Sequence, residues 1–521
     1  MIGTITYILA RAGWRAMDGK ITDERRRLAG AEPPAAYVSY DPRLLAGVGW
    51  YGYRIAFKGG DRQMIERARY MLSERYIIRD SYEFFADGVY VVGVLLRQRV
   101  PHYGIGGEIS HDNDWYGVEV DTTVLNPALL RIGKEELHRE LPIQNGMRRC
   151  MLLDDGTVNY YLDDTDSTKK ADGTAAVLDG TDGQVMVEIP EHYMKIEIEG
   201  TKQRVKLTQY PLDGFTRMPK SYISAFEAAL DRTNNKLSSV INTTAQYRGG
   251  ANDSGWDNTY RSQLGMPATN ISLTNFRTFA SNRGTHWTCQ DINIYTDVCM
   301  LYLVEYANRN IQASFTSTLT AEGYHQGGLG SGVSNMPNWD TYNSYRPVVP
   351  CGVTVSLGNA TGVVTYNVID SDGATVKYAA PVPSYRGIEN LFGHIWKHTD
   401  GILVNIDATT TSDVYVCTDN TKFSSTLTED YVKVGEEVRS DGWTKNVIFP
   451  SLIASEFGAD SPTGWCDYHY TSIPSSGSSI RCVLFGGSAL YGSSDGFAFA
   501  YSTHAPSCAT TDVGSRLCYR A

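Results

Sequence analysis

The sequence predicts an α+β protein in which short strands outnumber helices. Glycine and tyrosine are abundant, at 50 and 34 of 521 residues, and this composition is typical of proteins with many turns and amphipathic aromatic surfaces. Helical periodicity is confined to a few stretches, whereas short apolar runs bounded by Gly, Asn, Asp and Ser recur along the chain. The length is enough for about three domains, and we place them at residues 1–140, 141–210 and 211–521.

Residues 1–140 are predicted to form a small α/β module. Gly88–Leu95 is a strand-like apolar run, and Asp61–Tyr76 places Ile65, Ala68 and Leu72 at helical spacing. The region contains no recognisable catalytic pattern. We therefore expect it to serve in attachment or assembly.

Residues 141–210 are predicted to be β-rich. Asp155-Gly156 and Asp182-Gly183 each lie between apolar runs, and an Asp-Gly pair in that position indicates a hairpin. A short acidic cluster lies between them, at Asp163, Asp164 and Asp166. It lacks the glycine and the distant glutamate of a calcium loop, so a solvated turn is favoured.

Three helices are predicted at the start of residues 211–521, followed by strands and loops after Gln312. The first begins at Ser221, the second ends near Gly284, and the third follows shortly after. Their apolar faces are predicted to be Ile223, Phe226, Leu230, Leu237 and Ile241; Leu273, Phe276 and Phe279; and Ile292, Tyr295, Cys299, Tyr302, Leu303 and Tyr306.

Composition argues against several classes of function. The net charge is −11 and the basic residues are scattered, so binding to nucleic acid is not expected. Apolar runs are too short for membrane insertion, and the N-terminal residues do not resemble an export signal, so we expect synthesis in a cytoplasm. Nine cysteines without a CxxC pair indicate mostly free thiols.

A search for catalytic and metal-binding patterns identifies no enzyme site, cofactor or metal site. The glycine-rich stretches Gly104–Gly107 and Gly327–Gly332 are not followed by a phosphate-binding helix pattern. His394 and His398 have the i,i+4 spacing of zinc ligands, but no acidic third ligand is evident. We interpret them as part of a structural segment packed around tryptophan.

The C-terminal stretch has an unusual composition. From Cys466 to Ala521 the chain contains no Lys, Glu, Gln, Met or Trp in 56 residues. Asn is missing as well. The absence of so many residue types from one stretch requires an explanation beyond folding.

Three segments resemble one protein family: Ser281–Gln312, Tyr385–Gly401, and the tail from Val483 onward. They are similar to the C-type-lectin-fold variable proteins of diversity-generating retroelements, notably those of phages that infect gut Bacteroides. The resemblance covers roughly residues 210–521 and implies a C-type-lectin-like fold, similar to that of formylglycine-generating enzymes. The run Gly180–Pro190 also resembles a segment found upstream of such domains in phage tail proteins.

The resemblance implies that the tail carries diversified positions. In such systems adenines are scrambled in AAC-type codons, and the resulting codons cannot encode Lys, Glu, Gln, Met or Trp. The framework is then expected at Val483–Gly487, Gly496–Ala500, Ala505-Pro506 and Gly514–Leu517. The predicted ligand-binding positions are Asp467, Tyr468, His469, Tyr470, Ser488, Leu490, Tyr491, Ser493, Ser494, Asp495, Tyr501, Thr503, His504, Cys508, Ala509, Thr510 and Thr511.

The function implied is that of a receptor-binding protein at the tip of a phage tail fibre. Its partners would be a bacterial surface receptor, protein or glycan, and other virion proteins, and it would be a homotrimer located in the virion. The mixture of Tyr, Ser, Thr, His and Asp resembles an antibody paratope. The C-terminus should be part of the fold, with Leu517 buried at a strand end and Arg516 bound to a carboxylate or carbonyl.

Two alternatives remain. The same fold resembles that of formylglycine-generating oxidases, which need a copper-binding cysteine pair, and Cys508 and Cys518 are ten residues apart. The second alternative is a bacterial surface lectin, because Asn338-Trp339-Asp340 resembles a calcium-lectin motif. The residue order differs from that motif, and the usual partner motif is absent.

Overall fold

The computed structural model describes residues 111–249 and 263–520, and the backbone of four strands between residues 36 and 98. The chain divides into two compact units, Met1–Ser110 and His111–Ala521. The predicted domain boundaries near residues 140 and 210 therefore do not coincide with the units, because both fall inside the second one.

The described part of the first unit is a four-stranded antiparallel sheet. Its strands are β1 (Ala36–Tyr40), β2 (Trp50–Lys58), β3 (Tyr76–Ala86) and β4 (Val89–Gln98), in the order β1-β2-β4-β3. The strand predicted at Gly88–Leu95 is confirmed by β4. The helix predicted over residues 61–76 lies outside the described residues, except for Tyr76, which begins β3.

The second unit contains most of the described strands. The first eleven are β5 (Tyr116–Asp121), β6 (Leu130–Gly133), β7 (Arg148–Leu152), β8 (Val158–Tyr161), β9 (Gln184–Ile189), β10 (His192–Glu199), β11 (Lys202–Thr208), β12 (Thr216–Met218), β13 (Ser221–Ser224), β14 (Ala229–Asp231) and β15 (Lys236–Ser238). The others are β16 (Trp287–Cys289), β17 (Gly362–Ile369), β18 (Val376–Tyr385), β19 (Ile388–Glu389), β20 (Trp396–Asp407), β21 (Ser412–Val416), β22 (Val432–Glu436), β23 (Gly442–Ile448), β24 (Ile453–Phe457), β25 (Tyr468–Tyr470), β26 (Ser478–Phe485), β27 (Ala500–Tyr501), β28 (Val513–Gly514) and β29 (Leu517–Tyr519).

Helices are fewer, so the described residues form an α+β protein with predominant strands. The α-helices are α1 (Glu135–Glu140), α2 (Leu273–Ser281), α3 (Ile292–Tyr306) and α4 (Trp339–Asn343). Short 3₁₀ turns occur at Gln144–Gly146, Ala245–Tyr247, Val355–Leu357, Asn420–Lys422 and Gly492–Ser494. The predicted second and third helices are confirmed by α2 and α3.

The strands of the second unit form three larger sheets and two small ones. The five-stranded sheet has the order β12-β10-β11-β5-β6, and the six-stranded sheet has the order β16-β29-β13-β9-β7-β8. The nine-stranded sheet runs β22-β21-β20-β26-β27-β25-β23-β24, with β28 paired to β20. The hairpin β14-β15 and the sheet β17-β18-β19 complete the set.

Helix α3 lies at the centre of the core. Fourteen of its fifteen residues are buried, and it contacts β5, β11, β13 and β20, which belong to all three larger sheets. A helix that is buried on every side is enclosed by the rest of the core. Its start is fixed by Asp291, whose side chain accepts a hydrogen bond from the backbone N–H of Asn293 at 2.8 Å.

The helix predicted from Ser221 is wrong. Ser221–Ser224 is strand β13, and Leu230 faces Leu237 across the hairpin β14-β15. The apolar spacing of these residues resembles a helical period by coincidence. Pairing of β13 with β9 and with β29 at the far end of the chain decides the local structure.

The two Asp-Gly predictions have different outcomes. Asp155-Gly156 is the turn of the β7-β8 hairpin, with Gly156 at a φ of +82°. Asp182-Gly183 is not a hairpin turn, because it leads into β9, which pairs with β7 and β13. The solvated turn at Asp163 is confirmed, since its carboxylate accepts from the backbone N–H groups of Thr165 and Asp166.

The C-terminus is part of the fold, as predicted. Leu517 is fully buried in β29, which lies between β13 and β16. The buried Arg516 guanidinium donates to the carbonyl oxygen of Ser224 at 3.1 Å and to that of Glu389. Strand β13, near the start of residues 211–521, and the last strand β29 are thereby held together.

Candidate binding surface

The structure places the seventeen predicted positions at different depths. Leu490, Ser493 and Ala509 are exposed, and ten positions are half-buried: Tyr468, Tyr470, Tyr491, Ser494, Tyr501, Thr503, His504, Cys508, Thr510 and Thr511. The remaining four are buried: Asp467, His469, Ser488 and Asp495.

The prediction that these four residues are displayed is wrong for the structure described. Asp467 accepts a hydrogen bond from the backbone N–H of Ala498 at 2.8 Å. Asp495 accepts one from the N–H of Ser488 at 3.2 Å. His469 is enclosed with its Nε2 3.2 Å from a Glu437 carboxylate oxygen. Their side chains support the surface from within and have no access to a ligand.

Four of the predicted positions meet in one aromatic patch, which we call the tyrosine surface: Tyr468, Tyr470, Tyr491 and Tyr501. Strand β25 carries the first two, and it pairs in parallel with β27 so that Tyr470 lies beside Tyr501. The Tyr470 ring centroid lies 5.3 Å from that of Tyr501 and 5.8 Å from that of Tyr491. Residues from three separate stretches thus form one continuous patch.

A buried aromatic layer fixes the orientation of these rings. Trp396, Leu484, Phe499 and Val513 are each at most 2% exposed and pack beneath the tyrosine surface. The Trp396 ring lies 5.3 Å from that of Tyr491 and 5.4 Å from that of Tyr501, centroid to centroid. Packed aromatic pairs at these distances are attractive and restrict side-chain motion.

Sequence reasoning missed Trp443, which extends the tyrosine surface. This half-buried residue of β23 meets the Tyr468 ring edge-on, with centroids 5.3 Å apart. It precedes the compositionally unusual tail, and tryptophan is among the types missing there. No local signal therefore linked it to the predicted positions.

Three of the four tyrosine hydroxyls are available for binding. Within the described residues, the hydroxyls of Tyr468, Tyr470 and Tyr501 make no hydrogen bond. Each can donate to and accept from a partner while its ring supplies apolar contact area. Such a surface is suited to contacting a partner that is partly polar and partly apolar.

The tail loop after β27 extends the patch to a Cys-His pair. His504 meets the Tyr501 ring at a centroid distance of 4.8 Å, and its Nδ1 lies 3.3 Å from the Sγ of Cys508. Burial lowers the pKa of His504, and burial together with Asp512 raises that of Cys508. Both groups are therefore uncharged near neutral pH, and Cys508 is not activated as a thiolate.

The second cysteine of the oxidase alternative is enclosed. Cys518 is fully buried in β29, and burial raises its pKa to about 12. All nine cysteines are free thiols; eight of them are buried, and Cys508 is half-buried. Among residues 111–249 and 263–520, no group of three or more His, Cys, Asp and Glu side chains is arranged to hold a metal ion.

The segment that resembles a lectin motif has a structural role. Trp339 begins α4, is 1% exposed, and donates its indole N–H to the carbonyl oxygen of Arg346 at 2.7 Å. His394 is also structural, with its Nδ1 2.5 Å from a Glu227 carboxylate oxygen. Lys397 contacts the same carboxylate, with its ammonium 2.9 Å from the other oxygen of Glu227.

An open concavity of about 430 Å³ lies at the other end of the tail loop. Ser507 and Ala509 line it together with residues of the β14-β15 hairpin, of α2 and of the segment just before α2. Of the predicted positions, Ala509 alone lines it. The concavity and the tyrosine surface are connected through the loop that carries His504 and Cys508.

Comparison with known proteins shows similarity to solved structures. The U1, M1 and P3c variants of Major Tropism Determinant align with TM-scores of 0.23, 0.24 and 0.24 and sequence identities of 10%, 12% and 11%. Each alignment covers 72% of this chain and 71% of the other. No protein-family model and no curated protein sequence matches. Among the described helices, none is long and apolar enough to cross a membrane.

Proposed function

We propose that this chain is the receptor-binding protein of a phage tail fibre and that its tyrosine surface contacts a protein or glycan on a bacterial cell. In this proposal residues 211–521 form a C-type-lectin-like domain. The exposed and half-buried positions of the tail are its diversified ligand-binding residues.

The observation that carries the proposal is the convergence of Tyr468, Tyr470, Tyr491 and Tyr501 over a rigid aromatic layer. Tyrosine supplies a large contact area and freezes few rotatable bonds on binding. Binding residues are commonly carried on loops that a rigid scaffold positions. The tail composition supports the same proposal, since the four rings occupy positions that scrambled AAC-type codons can encode.

The remaining parts of the proposal concern assembly. Residues 1–140 would attach the protein to other tail proteins, and three copies would present three tyrosine surfaces. Several sites on one particle increase avidity through effective concentration, even when each contact is weak. The protein would then act in the virion after synthesis in a host cytoplasm.

Binding of the full-length protein to intact bacteria tests the proposal. The labelled protein would be incubated with a panel of strains that includes Bacteroides, together with a Tyr470→Ser/Tyr501→Ser variant and a Tyr193→Ser control. Tyr193 is also half-buried but belongs to β10 of a different sheet. Loss of central aromatic contacts should weaken binding by roughly 30-fold or more, while the control binds normally.

Two results would contradict the proposal. One is that the wild-type protein binds none of the strains, including the host of the source phage. The other is that the double variant binds as tightly as the wild type although both are folded.

A further inference from the structure

The loop Gly486–Gly496, which we call the display loop, carries Leu490, Tyr491, Ser493 and Ser494 between β26 and β27. Residues from outside the tail hold its backbone. Ala489 N–H donates to the carbonyl oxygen of His394 at 3.1 Å, and Ala489 accepts from the Met336 N–H at 2.7 Å. Gln312 donates from its side-chain amide to the carbonyl oxygens of Gly492 and Asp495.

Two buried carboxyl groups complete this support from within the tail. Asp495 closes the display loop on itself, because its Oδ1 accepts from the N–H of Ser488, seven residues earlier. Asp467 precedes β25 and joins that strand to the segment after the loop, because its Oδ2 accepts from the Ala498 N–H. The exposed fraction is 0% for Asp495 and 1% for Asp467.

Each carboxyl group lies against a glycine that leaves no room for a side chain. A Cβ atom at Gly487 would lie 1.8 Å from Oδ1 of Asp495, and one at Gly496 would lie 1.9 Å from Oδ1 of Asp467. Gly487 also has a φ of +81°, which other residues rarely adopt. The two aspartates and the two glycines therefore specify one local backbone path.

Burial favours the neutral form of both carboxyl groups. It raises the pKa of Asp467 well above its ordinary value, against a single backbone hydrogen bond from Ala498. It also raises the pKa of Asp495, although Lys397 and the N–H of Ser488 act in the opposite direction. A neutral carboxyl resembles a side-chain amide in shape and in its acceptor oxygen, so asparagine can replace it.

We infer that Asp467 and Asp495 are positioning residues, which set the presentation of Tyr491 and of the β25 tyrosines without themselves touching a ligand. The inference deepens the proposed function and rests on it for the identity of the binding surface. Diversification at these two positions would then change specificity by altering the shape of the display loop. Diversification at Leu490 or Ser493 would change a contact directly.

Hydrogen–deuterium exchange of the full-length chain tests the inference without any ligand, so failure of receptor binding would leave its outcome unchanged. The variants are Asp495→Ala, Asp495→Asn and, as a control on the same loop, the exposed Ser493→Ala. In Asp495→Ala we expect the Ser488 amide to exchange about tenfold faster, because it loses its acceptor. Exchange in α3 should not change.

Asparagine should restore slow exchange, and the Ser493→Ala control should match the wild type. A purely structural role would instead accelerate exchange throughout the second unit, in the Asn variant as well as in the Ala variant. The parallel pair Asp467→Ala and Asp467→Asn should show the same behaviour at the Ala498 amide.

Three results would overturn the inference: unchanged Ser488 exchange in Asp495→Ala, acceleration spread over the whole unit, or failure of asparagine to restore protection. The wild-type chain provides a test that does not depend on whether the alanine variants fold. If its Ser488 and Ala498 amides already exchange at the rate of an unstructured peptide, the two carboxyl groups position nothing.

Discussion

Replacing Leu517 with alanine should destabilise the protein far more than replacing Leu490, although the chemical change is identical. Leu517 is 0% exposed in β29 and packs with Leu237, Phe276 and Trp287. Leu490 is 48% exposed at the tip of the display loop. Leu517 therefore belongs to the framework of the fold, and Leu490 belongs to its surface.

The burial of each leucine sets how much stability its replacement should cost. Removing a fully buried leucine side chain costs roughly 2–5 kcal/mol, because apolar contact is lost and a cavity remains. A half-exposed leucine in a loop should cost less than about 1 kcal/mol. In a unit as long as His111–Ala521, each kcal/mol shifts the melting temperature by about 1.2 °C. The melting temperature should therefore fall by roughly 2–6 °C for Leu517→Ala and by about 1 °C at most for Leu490→Ala.

Thermal unfolding followed by circular dichroism, with binding measured on the same samples, provides the assay. Equal shifts for the two variants, or a larger shift for Leu490→Ala, would refute the division into framework and surface. Deleting residues 514–521 is the extreme case, because it removes β29 and Arg516 together. We expect that variant not to fold, and an unchanged melting temperature would contradict the account.

Three further predictions concern charge and the tyrosine surface. Arg516→Met should lower the free energy of unfolding by roughly 2–6 kcal/mol, because it leaves the buried carbonyls of Ser224 and Glu389 unpaired. The control is Arg217→Met, at a site with 60% side-chain exposure, which should change stability by less than about 0.5 kcal/mol in chemical denaturation. Burial opposes ionisation of Glu305, but Arg386 and His325 outweigh it and lower its pKa to about 2. The ionised Glu305 therefore stabilises the folded protein above about pH 4.5, and this stabilisation is lost as the pH falls towards 2. In thermal melts at several pH values, Glu305→Gln should reduce that acid dependence. Tyr501→Phe should leave the melting temperature within about 2 °C of the wild type, because the hydroxyl has no partner among the described residues, yet weaken cell binding by about tenfold; unchanged binding would show that this hydroxyl makes no contact.

Sequence predicted the elements whose signals are local. Ser272 caps the start of helix α2, because its side chain accepts from the N–H of Asn275 at 3.3 Å. The apolar spacing of α2 is regular over its nine residues. The hairpin at Asp155-Gly156 was also evident, because a single turn specifies it. These features depend on neighbouring residues, which a pattern can show.

The failed predictions concern long-range pairing. β13 forms because Ile223 pairs with Val187 and with Cys518, and no pattern around Ser221 indicates a partner almost 300 residues away. The apolar spacing there imitates a helix until that pairing is known. The hairpin assigned to Asp182-Gly183 failed for the same reason, since β9 pairs with strands that are not adjacent to it in the chain.

The resemblance predicted the positions of the proposed binding surface but not which of them are buried. It included the four tyrosines Tyr468, Tyr470, Tyr491 and Tyr501, and the structure brings all four together. Residue type could not show that Asp467 and Asp495 point inward, because the groups that enclose them include framework residues as distant as Lys397 and Gln312. Trp443 was missed because it belongs to a strand outside the tail.

Deep sequencing of this locus from a population of the source phage or prophage, read beside any adjacent template repeat, tests the central claim most directly. The account predicts substitutions concentrated in adenine-derived codons between residues 467 and 511. They should be frequent at Tyr468, Tyr491 and Tyr501, while Trp396, Phe499 and Leu517 remain invariant. Sparse variation spread evenly over framework and surface would contradict a diversified binding surface.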